Sequence, residues 1–393
     1  MRYASITERL NGLGSDKWAV HMAGRKRAAR GDDLVFLSIG EPDLPPPAAV
    51  VEQAITSLRA GRTKYSSGQG EPATLRAIAG NLSRRSGLEV DPQQVVYTAG
   101  TQHGLFVTMM ALAEAGDEVL VPDPYYATYE GLVAATGATF VPVATSPEDG
   151  FHLTPAALEA AITPRSRVLL LNTPSNPTGA VLSEGEIDAI GEVCERHDLW
   201  IVCDEVYAAL TFDRPFSSPF DRPQLRHRSV AVASISKSHA LPGFRAGWAA
   251  CPPELAPRVT AVSEAMLFGS QPFLSDAVAV AVSEDHPEVA TLRDTFRQRA
   301  EVLVAALSGS NAVHVRMPEG GMFVMADVRP TGLSGEQFAW KLLEESGVVV
   351  MPGESFGTRG AGHVRLALTV ESDVMADAAG RIRELAEALV AAR

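Results

Sequence analysis

Short apolar segments alternate with helix-like segments from about residue 90 of this chain, and no other feature restricts the possible folds as strongly. The apolar segments are nearly continuous and rich in β-branched residues, which is typical of parallel strands buried on both faces of a sheet. Their intervals do not follow the regular unit of a (β/α)₈ barrel, so we predict an α/β fold with an open, mostly parallel sheet between helices. The strands are predicted at Gln94–Tyr97, Glu118–Val121, Thr139–Val143, Arg167–Leu171, Leu199–Cys203 and Ser229–Ala233, with a weaker run at Gly247–Ala250.

The pattern changes after about residue 285, which indicates a second domain. A long charged helical pattern, TLRDTFRQRAEVLVAAL, is followed by the apolar runs MFVMADV, VVVMP and HVRLALT and by an Ala-rich terminal helix. Near the start, the run LVFLSIGEPDLPPP breaks at Gly40 and at a proline cluster, where the main domain begins. We therefore predict a large domain over residues 46–284 and a small α+β domain over 285–393. Residues 1–45 are expected to form an N-terminal arm and part of the small domain.

Composition and charge exclude several classes of partner. The formal net charge is −13 at pH 7, whereas a nucleic-acid-binding protein would show a basic face. No apolar stretch approaches the length of a membrane span, and the N-terminus has no signal-peptide core. The three cysteines match no zinc-binding spacing and fit a reducing compartment. We therefore expect a cytoplasmic protein that binds no nucleic acid, membrane or metal.

Four segments that carry polar residues and glycines directly follow predicted strands. Because the carboxyl ends of parallel strands meet at one edge of a sheet, these segments can converge on a single site. Each segment alone is a weak signal, and their joint placement is the informative fact. They are TAGTQHG (98–104), NTPSNPTGA (172–180), DEVYAAL (204–210) and SISKSHALPGFRAGW (234–248).

In this order and with these gaps, the four segments resemble the class I and II aminotransferases, a pyridoxal-phosphate family of fold type I. The most specific element is Ser-x-Ser-Lys followed by Gly-x-Arg-x-Gly within 234–247, and the likeness extends from IGEPD to HVRLALT. The resemblance implies a large domain with a mostly parallel seven-stranded sheet, a smaller α+β domain and pyridoxal 5'-phosphate as the cofactor. It also implies an amino acid and a 2-oxo acid as substrates, and a homodimer with shared active sites.

Three residues are implied to carry the catalytic chemistry. Lys237 would bind the cofactor aldehyde as a Schiff base and later move a proton at the substrate α-carbon, which requires a site that lowers its pKa. A surface lysine, the alternative, is improbable between two serines at a strand end. Asp204 would pair with the protonated pyridine nitrogen and keep the ring an electron sink, or else only cap a helix. Tyr207 would donate to the phenolic oxygen of the cofactor.

The cofactor phosphate needs hydrogen-bond donors and positive charge. The resemblance implies donors from the lysine-containing segment and from a helix start, whose backbone N–H groups and dipole suit an anion. Tyr65, in TKYSSGQG, is implied to reach the phosphate of the neighbouring subunit, and would otherwise be a partly buried loop aromatic. The implied ligands within one chain are Gly100, Thr101, Gln102, Ser234, Ser236 and Arg245.

The remaining implied contacts concern the cofactor ring and the substrate. Asn176 would share the phenolic oxygen and face the substrate, and a turn residue before a proline is its other interpretation. Tyr125, in DPYYATY, would stack on the ring, with Tyr126 as the rival. Arg365 would bind the α-carboxylate through two parallel bonds, unless it forms a surface ion pair. Gly40 would meet the same carboxylate through its backbone, or be only a turn glycine.

The resemblance favours ping-pong amino transfer, and two alternatives stay open. One is a β-lyase for sulfur amino acids on the same scaffold. The other is the ligand-binding module of a transcription regulator, for which residues 1–33 are too short to add a DNA-binding domain.

The identity of the amino donor is a separate question. An aspartate-specific branch has a lysine where this chain has Thr101, which argues against dicarboxylate specificity unless a partner arginine substitutes. The segments MRYASITERLNGLGSDKWAVH, SKSHALPGFRAGW and GGMFVMADVRPTGLS resemble arginine–pyruvate transaminases. Arginine is therefore a candidate donor, with neutral and aromatic amino acids as alternatives.

Overall fold

The computed structural model describes residues 2–14 and 16–393. The strands are β1 (Val35–Phe36), β2 (Val95–Thr98), β3 (Glu118–Asp123), β4 (Thr139–Ala144), β5 (Ser166–Asn172), β6 (Trp200–Asp204), β7 (Ser229–Ser234), β8 (Gly247–Ala250), β9 (His314–Val315), β10 (Phe323–Asp327), β11 (Val348–Val349), β12 (Met351–Pro352) and β13 (His363–Ala367). The α-helices are α1 (Ser5–Arg9), α2 (Ala19–Ala28), α3 (Ala48–Arg59), α4 (Pro72–Ser86), α5 (Thr101–Leu112), α6 (Tyr129–Thr136), α7 (Pro155–Ala161), α8 (Glu184–Arg196), α9 (Ile235–Ser238), α10 (Ala256–Leu267), α11 (Pro272–Ser283), α12 (Pro287–Leu307), α13 (Gly335–Ser346) and α14 (Ser372–Ala391).

Seven strands form the large sheet, in the order β2-β8-β7-β6-β5-β3-β4. The five strands from β7 to β4 in this order are parallel, whereas β8 runs antiparallel to both β7 and β2. The ends of all seven strands lie within about two residues of the predicted runs. The predicted α/β fold with a mostly parallel seven-stranded sheet is therefore confirmed.

Successive residues of the central strands pack into apolar clusters on opposite faces of the sheet. In β6, Val202 joins the cluster that contains helix α5, whereas Ile201 and Cys203 join the cluster that contains helix α8. A strand covered on both faces needs apolar side chains at every position, which is why these strands were visible as continuous apolar runs. The polar segments that follow the strands then lie together at the carboxyl edge of the sheet.

The C-terminal part of the chain forms a smaller antiparallel sheet in the order β12-β13-β10-β9, and helices α12, α13 and α14 share its apolar cluster. Strand β1 pairs in parallel with β11, and Leu37 joins the same cluster. Residues from both ends of the chain therefore build this smaller layer. These contacts do not fix the domain limits at residues 45 and 284, which stay a prediction.

Within the described residues, no helix is long and apolar enough to cross a membrane. The same part of the chain contains no group of three or more His, Cys, Asp or Glu residues arranged to hold a metal ion. Cys194, Cys203 and Cys251 are free thiols, and all three are buried.

Candidate active site

A cavity of about 470 Å³ opens at the carboxyl edge of the large sheet, where the smaller sheet approaches it. The segments after β2, β5, β6 and β7 line it together with β10, β13 and the chain that follows β1. The structure thus brings the four polar segments to one place, as the topology of a parallel sheet requires. Eleven of the predicted site residues line the cavity: Gly40, Thr101, Gln102, Asn176, Asp204, Tyr207, Ser234, Ser236, Lys237, Arg245 and Arg365.

Lys237 lies in the short helix α9, which starts directly after β7 and is therefore fixed by the sheet. Its Nζ donates a hydrogen bond to the Gly40 carbonyl at 2.6 Å. Burial lowers the pKa of Lys237 to about 8, and this shift is opposed by Glu41 and reinforced by Arg365 and Arg245. A larger share of this amine is neutral near physiological pH than of an exposed lysine, as attack on an aldehyde requires.

Asp204 ends strand β6 inside the protein, and its carboxylate forms no ion pair within the described part of the chain. Oδ2 accepts a hydrogen bond from the Tyr129 hydroxyl at 2.7 Å, and Oδ1 accepts one from the Val206 backbone N–H at 3.1 Å. Burial raises the pKa of Asp204 to about 6 in spite of these two hydrogen bonds. A cation that enters the cavity, such as a protonated ring nitrogen, would stabilise this carboxylate.

Asn176 links the Tyr207 hydroxyl to Arg365. Its Nδ2 donates to the Tyr207 oxygen at 3.4 Å, and its Oδ1 accepts from Arg365 Nη1 at 2.9 Å. The Asn176 backbone N–H is held by Asn172 Oδ1 at 2.7 Å. Burial raises the pKa of Tyr207 above its ordinary value, so the phenol stays protonated and can donate. Asn176 and Tyr207 therefore present donors to the same part of the cavity.

Arg365 is a buried cation, 1% exposed, with no acidic partner among the residues described. Its guanidinium lies between two aromatic rings, 4.0 Å from the Phe323 centroid and 4.5 Å from the Phe356 centroid. Nη2 donates to the Ser38 carbonyl at 2.6 Å, whereas Nε has no hydrogen-bond partner in the described part of the chain. Burial lowers the pKa of Arg365 to about 10. A planar cation that is held in this way and lacks a counter-ion is suited to a substrate carboxylate.

The predicted phosphate ligands lie around the start of helix α5. Thr101 Oγ1 donates to Ser234 Oγ at 2.9 Å and so joins two of the polar segments. Arg245 Nη2 donates to the Ala99 carbonyl at 3.2 Å. Gly100 precedes the helix but does not line the cavity, and a Cβ built there would lie 2.5 Å from Arg245 Nη2. Glycine at this position therefore lets the guanidinium approach a helix N-terminus, a combination that suits an anion.

Tyr125 does not reach the cavity, and Tyr126 lines it instead. The Tyr125 ring packs 4.7 Å from that of Phe140 on the neighbouring strand β4, and its hydroxyl donates to Glu130. Tyr126 packs edge to face against Tyr129, with 5.6 Å between the ring centroids. The geometry therefore favours Tyr126, the rival residue, over Tyr125 as the ring that faces the site, and stacking on the cofactor stays a prediction for either.

Tyr65 lies outside the cavity of its own chain. Its side chain is 88% exposed, and its ring packs 5.2 Å from that of Phe268. The contact that the resemblance implies is with another subunit, so the role of Tyr65 stays a prediction.

Several aromatic residues of the site were not predicted from the sequence, among them Trp18, Tyr129, Phe323 and Phe356. Tyr129 is one of three tyrosines in DPYYATY, and no spacing rule distinguishes the one that reaches Asp204. Phe323 lies in the apolar run MFVMADV, which forms strand β10. Aromatic side chains in such runs most often belong to the hydrophobic core. Only the tertiary structure therefore reveals that the rings of Phe323 and Phe356 stack on Arg365.

Pyridoxal phosphate combines an aldehyde, a basic ring nitrogen and a phosphate, and this cavity offers a matching group for each. Lys237 is an amine of lowered pKa, Asp204 is a buried carboxylate with no cation beside it among the residues described, and Arg245 lies beside a helix start. An open α/β sheet with such groups at its carboxyl edge defines the pyridoxal-phosphate-dependent transferases of fold type I. This chain belongs to the aminotransferase class I and II family, whose sequence profile it matches over residues 32–382.

The chain is similar to known aminotransferases along nearly its whole length. It is 41% identical over 382 residues to the arginine–pyruvate transaminase of Pseudomonas aeruginosa, covering 97% of each chain. It is 35% identical over 378 residues to the aspartate/prephenate aminotransferase of Cereibacter sphaeroides, covering 93% of this chain and 94% of that one. The structure of aspartate aminotransferase from Thermus thermophilus with maleate matches with a TM-score of 0.91 at 31% identity, over 98% of this chain and 100% of that one. The protein is therefore a pyridoxal-phosphate-dependent aminotransferase that acts on amino acids and 2-oxo acids.

Proposed function

We propose that this aminotransferase passes the amino group of L-arginine to pyruvate by a ping-pong mechanism in the cytoplasm. The observation that carries this proposal is the 41% identity, over 97% of each chain, to an arginine–pyruvate transaminase. The buried free thiols fit a reducing compartment.

The charges in the cavity favour a donor with a cationic side chain over a donor with a second carboxylate. The cations among the described lining residues are Lys237, Arg245 and Arg365, and each already has a role toward the cofactor or the α-carboxylate. The acids in the same lining are Asp204 and Glu41. A substrate guanidinium would have Glu41 as a counter-ion, whereas a distal carboxylate would need a cation from outside the described lining of the cavity.

In this function, the residues of the chain hold the substrate and move its proton. Bound pyridoxal phosphate supplies the electron sink that makes the substrate α-proton acidic. Arg365 binds the α-carboxylate while two aromatic rings cover the faces of its guanidinium. Lys237, with a pKa that burial lowers to about 8, accepts the α-proton as a neutral amine and then returns it as an ammonium group. Asp204 holds a proton at the ring nitrogen, and Tyr207 donates to the phenolic oxygen.

The functional unit in this proposal is a homodimer in which Tyr65 reaches the neighbouring site. Tyr65 and Phe268 are 88% and 64% exposed, and their rings pack together. Met266 and Leu267, which precede Phe268, are exposed as well. Clustered exposed apolar side chains mark interaction surfaces, and a two-fold axis would cover this cluster on both subunits at once.

A panel of amino donors tests the substrate assignment. Arginine, lysine, aspartate, alanine and phenylalanine are each assayed with pyruvate and with 2-oxoglutarate. We expect the highest kcat/KM for arginine with pyruvate. If kcat/KM for aspartate exceeds that for arginine by about tenfold, a difference of about 1.4 kcal/mol, the donor assignment is wrong.

A spectrum recorded without any oxo acid separates amino transfer from the β-lyase alternative. A transaminase given an amino donor alone converts its cofactor once to the pyridoxamine form and then stops. A lyase releases pyruvate and ammonia continuously under the same conditions. Continuous release from a sulfur amino acid, without accumulation of the pyridoxamine form, would favour the lyase.

A further inference from the structure

Residues 37–43, called the strap below, connect the smaller sheet to the active-site lysine. Four successive carbonyls of the strap accept hydrogen bonds, the first three from β13 and the residues just after it and the fourth from the lysine. The donors to the carbonyls of residues 37, 38, 39 and 40 are the Ala367 N–H, Arg365 Nη2, Thr369 Oγ1 and Lys237 Nζ, at 2.8, 2.6, 3.0 and 2.6 Å. One short segment therefore holds both cations that act on the substrate.

The strap also lies directly on the ring of Phe323. A Cβ built on Gly40 would lie 2.2 Å from Phe323 Cζ, so the backbone approaches the ring more closely than any side chain would allow. The same ring lies 4.0 Å from the guanidinium of Arg365. A shift of the strap would therefore disturb the Gly40 carbonyl and the ring under it together.

Beyond Gly40, the strap is held at Asp43 by Arg299 of helix α12. Nη1 and Nη2 of Arg299 donate to Oδ1 and Oδ2 of Asp43, each at 2.8 Å, and Nη1 also donates to the Leu368 carbonyl at 3.0 Å. Arg299 is 1% exposed, and the exposed Glu371 lies 3.5 Å from its Nη2. Two parallel bonds of this kind fix orientation as well as distance.

We propose that Asp43 and Arg299 are positioning residues of the transfer reaction. Neither residue lines the cavity, and their bidentate pair acts through the strap, whose Gly40 carbonyl orients the free Lys237 amine. This amine ends a flexible four-carbon stem, so without an acceptor it samples several directions. A misplacement of about 1 Å can cost about a hundredfold in rate, which makes the anchor of the strap important for catalysis.

Single-turnover measurements on the holoenzyme test this proposal with whichever amino donor is fastest, so the result does not depend on arginine as substrate. Asp43→Asn keeps the shape of the side chain and removes its charge. We expect the maximum rate of the amino-acid half-reaction to fall by about tenfold or more. The donor concentration at half-maximal rate should change less, and cofactor retention after dialysis should not change. Asp43→Glu, which keeps a carboxylate, should recover part of the rate.

A matched control is available on the surface of the large domain. Arg222 Nε and Nη2 donate to Oδ1 and Oδ2 of Asp188 at 2.8 and 2.7 Å, a similar bidentate pair whose residues do not line the cavity. Asp188→Asn should leave the half-reaction unchanged. An equal loss in this control would overturn the proposal.

Two further outcomes decide the proposal. A half-reaction rate of Asp43→Asn within about twofold of the unaltered enzyme, less than about 0.5 kcal/mol, would overturn it. A loss of rate that is explained by release of the cofactor would overturn it as well. If Asp43→Asn does not fold, Arg299→Lys replaces it, because lysine keeps the buried charge without the planar fork. We expect the same fall in rate for Arg299→Lys, and an unchanged rate in that variant would again overturn the proposal.

Discussion

Tyr129 donates a hydrogen bond at 2.7 Å to Asp204, a buried carboxylate that has no ion-pair partner in the described part of the chain. A neutral hydroxyl fixes the carboxylate but does not neutralise its charge, so burial raises the pKa of Asp204 to about 6. The group is thus oriented for a cation that the described residues do not provide. In the proposed function, the protonated ring nitrogen of the cofactor is that cation.

Without the cofactor, Asp204 should destabilise the fold at high pH. Its pKa rises from an ordinary value of 3.8 to about 6 on folding, so the folded state binds the proton more tightly and stability falls as pH rises through this interval. The shift corresponds to about 3 kcal/mol above pH 6. Urea unfolding of the cofactor-free protein should show Asp204→Asn gaining stability relative to the unaltered protein at pH 8, by more than at pH 5. A difference that does not depend on pH would contradict this.

Arg365→Lys should weaken the binding of the amino donor. Lysine keeps the positive charge but loses the planar fork and the stacking between Phe323 and Phe356. We expect KM for the amino donor to rise by about ten- to a hundredfold, about 1.4 to 3 kcal/mol, with a smaller change in kcat. Steady-state kinetics would contradict this if KM stays the same while kcat falls.

Tyr126 and Tyr125 provide a paired test of which ring stacks on the cofactor. Tyr126→Leu removes a ring that lines the cavity, so cofactor affinity should fall by about tenfold or less, as expected for one aromatic contact. Tyr125→Leu removes a ring that packs on Phe140 and should lower stability with little change in cofactor affinity. The measurement is equilibrium binding of pyridoxal phosphate to both variants. A larger loss of affinity in Tyr125→Leu than in Tyr126→Leu would identify Tyr125 as the stacking residue.

Subunit complementation tests the shared site. If Tyr65 serves the neighbouring subunit, a heterodimer of Tyr65→Ala and Lys237→Ala subunits has one site damaged twice and one intact site. Mixing the two variants under conditions of subunit exchange should therefore restore activity, provided that each variant alone is inactive. No recovery despite demonstrated exchange would place Tyr65 in its own subunit's site or in no site.

The large sheet was predictable from the sequence because burial on both faces leaves a continuous apolar signal, as in the run from Leu199 to Cys203. The direction of β8 was not predictable, since its short run Gly247–Ala250 carries no information on orientation. The pairing of β1 with β11 joins segments about 300 residues apart, and strands of two residues have almost no periodicity.

The site was predictable where chemistry restricts a residue type and its neighbours, as for Lys237 between two serines. It was not predictable where side-chain direction decides, as for Tyr125 and Tyr126, which are adjacent and chemically identical. The pair of Asp43 with Arg299 left no signal either, because a salt bridge across more than 250 positions depends on the tertiary fold alone.

Borohydride reduction of the holoenzyme, followed by peptide mass spectrometry, tests the central claim most directly. We predict a phosphopyridoxyl group on Lys237, whose amine has a pKa lowered to about 8 by burial. Lys237→Ala should lose the visible absorbance and nearly all turnover while its circular dichroism is unchanged. Lys341→Ala, which removes a half-buried helix lysine paired with Glu345, should retain the absorbance, the turnover and the circular dichroism. A borohydride-reducible linkage that persists in Lys237→Ala, or a label on another lysine, would contradict the account.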